Sequence, residues 1–334
     1  MKTTAMLVMT LALGGLSTTL TACGNSKAYA GDSDWVFKPD PATEEELALI
    51  KLCGRPALPK KQLMNVQYQN LPGVDPQLQS LDIYMPAVLN PCQGVPVVIW
   101  VHGGGWKIGD KSNINHKAEY FNGLGYAFVS VNYRLSPKEN SSDPGRTKFP
   151  DHPNDVGAAV AWVSKSIKSH GGNPEKLALL GHSAGAHLAA LVGTQQSYIS
   201  KTHNEWNRDH LRCVGSYDTE GYDIPLLMKD PEVEQRAMYL NAFGDDPAVW
   251  AVASPINHVQ VRGPKFQLVK RGDAQRHAQV EGFKSELQKK LNFVTVIDGK
   301  GLSHSDVNRL IGAPDDRRMT PSVTEFMKKS CFPK

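Results

Sequence analysis

Residues 177–191 read LALLGHSAGAHLAAL and contain the pattern that decides the fold. A short apolar run is followed by Gly-x-Ser-x-Gly at 181–185 and then by small apolar residues, as in a helix packed tightly on a sheet. A strand, a sharp turn and a helix in this order are the context of a nucleophile elbow, whose serine stands on a strained turn. The glycines leave room there because they lack Cβ. The pattern makes Ser183 a candidate nucleophile and the N–H of Ala184 a candidate oxyanion donor; the alternative is a helix that starts with a plain capping serine.

A second glycine pattern lies upstream, where residues 102–106 read HGGGW directly after the apolar run 97–101. Consecutive glycines let backbone N–H groups approach an oxyanion without interference from Cβ atoms, and an HGGG loop after such a strand completes the oxyanion hole of many lipases and esterases. We therefore predict that Gly103 and Gly104 donate to the oxyanion. A flexible turn would explain the glycines but not the His and Trp that bracket them.

A nucleophilic serine needs a base, and the base needs an acid that orients it, in the chain order Ser, acid, His. Of the eleven histidines, His304 follows the last predicted strand and a glycine-containing loop. Asp273 follows the preceding strand, in Arg271-Gly272-Asp273. These positions predict His304 as the base and Asp273 as the acid. Asp298 is the alternative acid, and a helix N-cap is the alternative role of Asp273.

Strand-like and helix-like segments alternate along the rest of the chain, which predicts an α/β fold with a mostly parallel sheet covered on both faces. The predicted strands are Leu81–Met85, Val95–His102, Tyr126–Tyr133, Leu177–Gly181, Leu211–Ser216, Phe266–Lys270 and Phe293–Ile297. The predicted helices are Pro150–His170, Ala184–Thr194, Arg276–Leu291 and Thr320–Lys329. Asp155 is expected to have a structural role beneath a helix, and Trp106 and Tyr133 to line an acyl pocket or to pack in the core.

Several of these segments resemble the esterase/lipase and arylformamidase-like branch of the α/β-hydrolase superfamily. They are HGGGWKIGDK (102–111), VSVNYRLSP (129–137), GHSAGAHLAAL (181–191) and HSDVNRLIG (304–312). The resemblance covers roughly residues 75–330 and implies an eight-stranded, mostly parallel sheet in a single domain, 46–334. Many relatives read Gly-Asp-x-Asp after the strand that corresponds to Phe266–Lys270, and their second Asp is often the acid; Gln275 stands there in this chain, so the acid stays open between Asp273 and Asp298.

The resemblance implies a serine hydrolase that cleaves carboxylic esters of short to medium acyl chain through an acyl-enzyme on Ser183. An arylformamidase and a carbohydrate-ester deacetylase are equally compatible with it. A non-catalytic lipoprotein that binds a ligand on a hydrolase scaffold is the alternative from another class. The sequence contains no phosphate loop, dinucleotide fingerprint or metal-ligand spacing, so we expect no cofactor and no metal. A net charge of +4 without a dense basic block gives no case for nucleic acid.

The N-terminus has the features of an export signal. Lys2 is the only charge in residues 1–22, and an apolar run, 5–16, precedes small and hydroxyl residues. The Leu-Thr-Ala-Cys that ends at Cys23 resembles the lipobox of bacterial lipoproteins, which implies cleavage after residue 22 and acylation of Cys23. Residues 23–45 are then a polar tether to a membrane surface. Gly24 after the cysteine resembles the sorting signal for the outer membrane.

Four further cysteines are expected to meet an oxidising compartment. Four cysteines allow three pairings, and the sequence alone does not choose between them. We favour Cys53–Cys92, which flank the N-terminal strands, together with Cys213–Cys331. Free buried thiols are the alternative.

Overall fold

The computed structural model describes residues 43–137, 141, 143–230 and 235–334. The predicted signal peptide 1–22, the predicted acylation site Cys23 and the predicted tether up to residue 42 lie outside the described residues.

The core of the molecule is one sheet of eight strands in the order β1-β2-β4-β3-β5-β6-β7-β8. The strands are β1 (Lys61–Gln67), β2 (Ser80–Met85), β3 (Val95–Val101), β4 (Ala127–Val131), β5 (Gly172–His182), β6 (Leu211–Tyr217), β7 (Lys265–Lys270) and β8 (Val294–Asp298). Strand β2 pairs antiparallel with β1 and β4, and all the other pairs are parallel. The predicted eight-stranded, mostly parallel sheet is confirmed.

The central strands are buried on both faces, which explains their continuous apolar sequences. In β3, residues 97–101 are almost fully buried, and so are residues 177–180 of β5. Such runs are typical of parallel strands covered by helices on both sides. The strand that the sequence patterns missed is β1: its residues Lys61–Gln67 are mostly exposed, because β1 is an edge strand whose polar side chains face solvent.

Helices cover both faces of the sheet, as predicted. They are α1 (Glu44–Cys53), α2 (Lys117–Gly123), α3 (Asp151–Ser166), α4 (Ala184–Thr194), α5 (Ser197–Ser200), α6 (Ile224–Leu227), α7 (Arg236–Phe243), α8 (Pro247–Val252), α9 (Ala274–Lys289), α10 (His304–Arg309) and α11 (Met319–Glu325). The apolar core that includes α3, α4 and α9 lies on one face, and the core that includes α2, α10 and α11 lies on the other. Within the described ranges, we find no helix whose length and hydropathy would let it cross a membrane.

Two disulfides join distant parts of the chain. They are Cys53–Cys92 and Cys213–Cys331, the two pairs that the sequence favoured. The second disulfide connects β6 to the helical segment Phe326–Cys331 that continues α11. The segment Phe326–Cys331 is thereby fixed to β6, and the carboxyl end of β6 contributes to the candidate active site.

Candidate active site

Ser183 stands on a sharp turn between β5 and α4. Its backbone has φ 58° and ψ −123°, a strained conformation for a residue with a side chain. Its N–H donates to the carbonyl of Tyr217 at 3.1 Å. The flanking glycines are required by close packing, since a Cβ at Gly181 would lie 2.2 Å from the carbonyl oxygen of Gly185, and one at Gly185 would lie 2.2 Å from that of Val101. The turn therefore has the backbone geometry of the predicted nucleophile elbow.

The HGGGW loop lies directly against this serine. A Cβ at Gly103 would be 2.9 Å from the Cβ of Ser183 and 2.8 Å from the carbonyl oxygen of His182. Gly104 has φ +118°, and its carbonyl accepts hydrogen bonds from the N–H groups of residues 107 and 108. Among the loop and cap hydrogen bonds between backbone groups of the described residues, none uses the N–H of Gly103, Gly104 or Ala184 as donor. The three predicted oxyanion donors thus have no backbone partner in those turns.

A buried ion pair fixes the end of the glycine loop. The Nζ of Lys111 lies 2.7 Å from Oδ1 of Asp82 in β2 and 2.7 Å from Oδ1 of Asn65 in β1. The N–H of Lys111 donates to Oδ1 of Asn132 at 2.6 Å. Because Lys111, Asp82 and Asn132 are buried and bonded to one another, the loop is held to the antiparallel side of the sheet. The N–H groups of the glycine loop are thus fixed in advance and need not reorganise when negative charge develops on a substrate.

Three residues singled out in the sequence have supporting roles. Trp106 and Tyr133 are 1% and 0% exposed, so both are core residues rather than pocket walls. The hydroxyl of Tyr133 donates to the carbonyl of His102 at 3.1 Å, which supports the glycine loop from below. Asp155 is fully buried and accepts from Nε and Nη2 of Arg134, both at 2.8 Å. The predicted structural role of Asp155 is confirmed.

His304 is the first residue of α10, which starts with a capping box between Ser303 and Asp306. Its Nδ1 lies 2.6 Å from Oδ2 of Asp218, so Nδ1–H donates to the carboxylate and Nε2 is left to accept a proton. Its backbone carbonyl accepts from Nε2–H of His182 at 2.9 Å, and the two imidazole rings pack at a centroid distance of 4.5 Å. His304 is thus tied to the residue that precedes Ser183.

The structure contradicts the prediction of Asp273 as the acid. Asp273 is exposed and is the N-cap of α9, where its Oδ1 accepts from the N–H of Arg276 at 2.9 Å. The alternative, Asp298, is also exposed and accepts from the N–H of Lys300 at 2.9 Å. The carboxylate that meets His304 is Asp218, the first residue after β6. The sequence did carry a signal for it, since Asp218 directly follows an apolar run and parallel strands end at the same sheet edge.

Asp218 is 2% exposed and has three side-chain donors. Besides His304, these are Nε of Arg271, which bonds Oδ2, and Nη2 of Arg276, which lies 2.8 Å from Oδ1. Burial by itself would raise the pKa of Asp218, but the hydrogen bond from His304 and the charge of Arg276 outweigh it and hold the pKa well below its usual range. Asp218 is therefore ionised at neutral pH, as an orienting acid must be.

A second acid completes this cluster. Oε2 of Glu220 lies 2.6 Å from Nη1 of Arg276, whose other nitrogen binds Asp218. Burial raises the pKa of Glu220, and the charge of Arg276 opposes that rise. Arg276 thus bridges two carboxylates that follow β6.

His182 stays neutral beside the site. Burial, and next the charge of His304, lower its pKa to about 3. His182, Asp218 and His304 form the one grouping of potential metal ligands among the described residues, with ligand atoms within 4.8 Å of one another. His304 bonds Asp218 through Nδ1 and His182 through its carbonyl, so hydrogen bonds within the protein account for the grouping.

The sequence is similar to those of known proteins. The sequence model of the BD-FAE family matches residues 81–291, which is more than half of the chain. Esterase LipQ of Mycobacterium tuberculosis is 32% identical over 192 residues, which are 56% of this chain and 44% of LipQ. The probable carboxylic ester hydrolase LipM of the same organism is 38% identical over 207 residues, 56% of this chain and 43% of LipM. The chain thus spans less than half the length of these curated relatives.

Solved structures show the same fold. A truncated carbohydrate esterase from gut microbiota superposes with a TM-score of 0.63 at 18% identity, covering 82% of this chain and 97% of its own. An inhibited esterase B from Lactobacillus rhamnosis gives a TM-score of 0.57 at 24% identity, covering 75% and 80%. The predicted α/β-hydrolase fold is confirmed.

Proposed function

This chain belongs to the BD-FAE family, and on that premise we propose that it is a serine carboxylic ester hydrolase with Ser183 as nucleophile, His304 as base and Asp218 as orienting acid. The observation that carries the proposal is the His304 imidazole, held by a buried carboxylate at 2.6 Å and bonded through its carbonyl to the residue before Ser183. The carboxylate, the imidazole and the residue before Ser183 come from segments 86 and 122 residues apart and are bonded to one another here.

The proposed reaction is acyl transfer in two steps. Nε2 of His304 takes the proton of the Ser183 hydroxyl as its oxygen attacks the ester carbonyl, and Asp218 stabilises the imidazolium that forms. The N–H groups of Gly103, Gly104 and Ala184 bind the oxyanion. Removing a single such donor typically costs about 2.7–4 kcal/mol of transition-state stabilisation. The alcohol leaves with the proton from His304, and water then cleaves the acyl-enzyme by the same route.

We propose carboxylic esters of short to medium acyl chain as substrates. A carbohydrate-ester deacetylase is the second candidate, because the site is open enough for a large alcohol: the His304 side chain is 44% exposed and Ile108, beside Gly104, is 63% exposed. A panel of p-nitrophenyl esters of graded acyl length, an acetylated sugar and N-formyl-kynurenine would rank these substrates by kcat/KM.

The nucleophile is tested by Ser183→Ala, with the exposed Ser169→Ala as matched control. We expect Ser183→Ala to lose hydrolysis of p-nitrophenyl esters and labelling by a fluorophosphonate probe, while the control keeps both. A wild-type protein that neither hydrolyses esters nor reacts with the probe would favour the non-catalytic, ligand-binding alternative. Hydrolysis that survives in Ser183→Ala would overturn the nucleophile assignment.

We also propose that the protein is exported and anchored by lipid at Cys23, on the outer membrane. The export-type N-terminus supports this proposal, and so do the two disulfides of the described region, which persist in oxidising compartments. Metabolic labelling with radioactive palmitate should mark the full-length chain expressed in bacteria and leave Cys23→Ser unmarked. Membrane fractionation should show the wild type in the outer membrane, and equal labelling of both chains would contradict the proposal.

A further inference from the structure

The acid of the site is embedded in a cluster of four charges, which we call the charge cluster: Asp218, Glu220, Arg271 and Arg276. We propose that Arg276 is a positioning residue for Asp218, and that Arg276 and Glu220 balance the charge around His304 and thereby set the acidic limb of the esterase pH profile. This inference rests on the proposed function. The two carboxylates follow β6, and the two guanidiniums follow β7.

The chain is built to place Arg276 here. Gly272 has φ +84°, and a Cβ on it would lie 2.5 Å from Cδ of Arg276, so this glycine makes room for the arginine side chain. Asp273 caps α9 through the N–H of Arg276, which fixes the backbone from which the side chain starts. The guanidinium then reaches Oδ1 of Asp218 at 2.8 Å and Oε2 of Glu220 at 2.6 Å. Its side chain is only 16% exposed, so water screens these contacts weakly.

Arg276 controls which oxygen of Asp218 meets the base. It holds Oδ1, and Arg271 and His304 share Oδ2. A carboxylate fixed at both oxygens cannot rotate away from the imidazole. Arg276 therefore acts on the reaction through Asp218 and not by touching the substrate.

The charge cluster is formally neutral, since two carboxylates face two guanidiniums. Within the part of the chain that the structure describes, the other ionisable groups that face His304 are partnered or neutral. His182 is neutral because burial lowers its pKa to about 3. Lys117 of α2, whose pKa burial lowers to about 7, donates to the carbonyl of Asn308 at 2.8 Å. Asp306 and Arg309 of α10 pair with each other at 2.6 Å.

Because the charge cluster is neutral, the loss of one of its charges should change how readily His304 accepts a proton. Protonated His304 is stabilised by Asp218, but the two guanidiniums oppose that stabilisation. Without the charge of Arg276 the cluster becomes negative and favours the imidazolium; without the charge of Glu220 it becomes positive and disfavours it. His304 and Arg276 bind different oxygens of one carboxylate that is mostly buried. At that separation, one unit charge should move the acidic limb of the profile by about one pH unit. The two substitutions should therefore move the profile in opposite directions.

The test measures kcat/KM for a p-nitrophenyl ester against pH in Arg276→Gln, Glu220→Gln and the double variant. We expect the acidic limb to move up by about one unit in Arg276→Gln, down by about one unit in Glu220→Gln, and back to the wild-type position in the double variant. Arg276→Lys keeps the charge but cannot hold Asp218 and Glu220 together, so its limb should stay in place while kcat falls. Lys289→Gln, at the exposed far end of α9, is the control and should leave the profile unchanged.

A second readout needs no turnover. NMR of the His304 imidazole in the Ser183→Ala background should show the same opposite shifts of its titration midpoint. If esters are not substrates but these shifts occur, the proposed function fails, while the effect of the charge cluster on the His304 imidazole stands. If both single variants shift the same way, or neither shifts while circular dichroism shows intact folds, the inference is overturned.

Discussion

The loops after β6 and β7 start at the same sheet edge, but neither has the role that the sequence patterns predicted for it. The loop after β7 contains Arg-Gly-Asp and was predicted to supply the acid; it supplies Arg271, and its Asp273 caps α9, the helix that contains Arg276. The loop after β6 was assigned no role; it supplies the carboxylate that meets His304. The comparison teaches that two neighbouring strand ends can serve one imidazole in different ways, since Asp218 after β6 bonds His304 and Arg271 after β7 bonds the same carboxylate oxygen.

The largest effect should separate the two aspartates. Asp218→Asn removes the charge that stabilises the imidazolium and disturbs the tautomer of His304, so kcat should fall about 10⁴-fold. Asp273→Asn should stay within about twofold of the wild type, because Asn caps a helix as well as Asp does. Steady-state kinetics on one p-nitrophenyl ester measures both. If Asp273→Asn were the damaged variant, the roles of the two loops would be reversed.

Substitutions of two glycines, Gly272 in the loop after β7 and Gly282 in α9, should give smaller effects. Gly272→Ala introduces a Cβ at positive φ, 2.5 Å from Cδ of Arg276, and should lower kcat about tenfold and the free energy of unfolding by about 1–2 kcal/mol. In Gly282→Ala, inside α9, the new Cβ meets nothing within 4 Å. This control should keep full activity and gain about 0.4–1 kcal/mol. Urea unfolding and steady-state kinetics compare the two variants. Equal kcat values and equal free energies of unfolding would show that a Cβ at Gly272 does not displace Arg276.

The smallest effect concerns stability in acid. Because the pKa of Asp218 in the folded protein lies below its unfolded value of about 3.9, the folded state binds this proton less tightly than the unfolded state. The resulting stabilisation is complete above that pH and is lost as the pH falls toward the folded pKa. Asp218→Asn lacks this contribution, so its free energy of unfolding should decline less steeply below about pH 4. In urea titrations, the free energies of unfolding of the wild type and Asp218→Asn should differ by a constant amount from pH 5 to 7. The difference should shrink at lower pH.

The elements found from the sequence share a strong local signature. Strands β3 and β5 have continuous apolar runs, and α4 begins and ends at the predicted residues 184 and 194. The local geometry predicted for the serine turn and the glycine loop also holds, because glycine patterns fix backbone conformation within a few residues. Strand β1 was missed, since an exposed edge strand has no apolar periodicity to read.

By itself the sequence determined the alternation of strands and helices, the turn at Ser183, the conformation of the glycine loop and the histidine at the start of α10. Each depends on residues within one short segment, where backbone sterics and burial on one or two faces act locally. Only the tertiary structure decided which carboxylate meets His304. That choice depends on how Asp218 and His304, 86 residues apart in the chain, come together and on how Arg271 and Arg276 bind Asp218, and neither is encoded in any single segment.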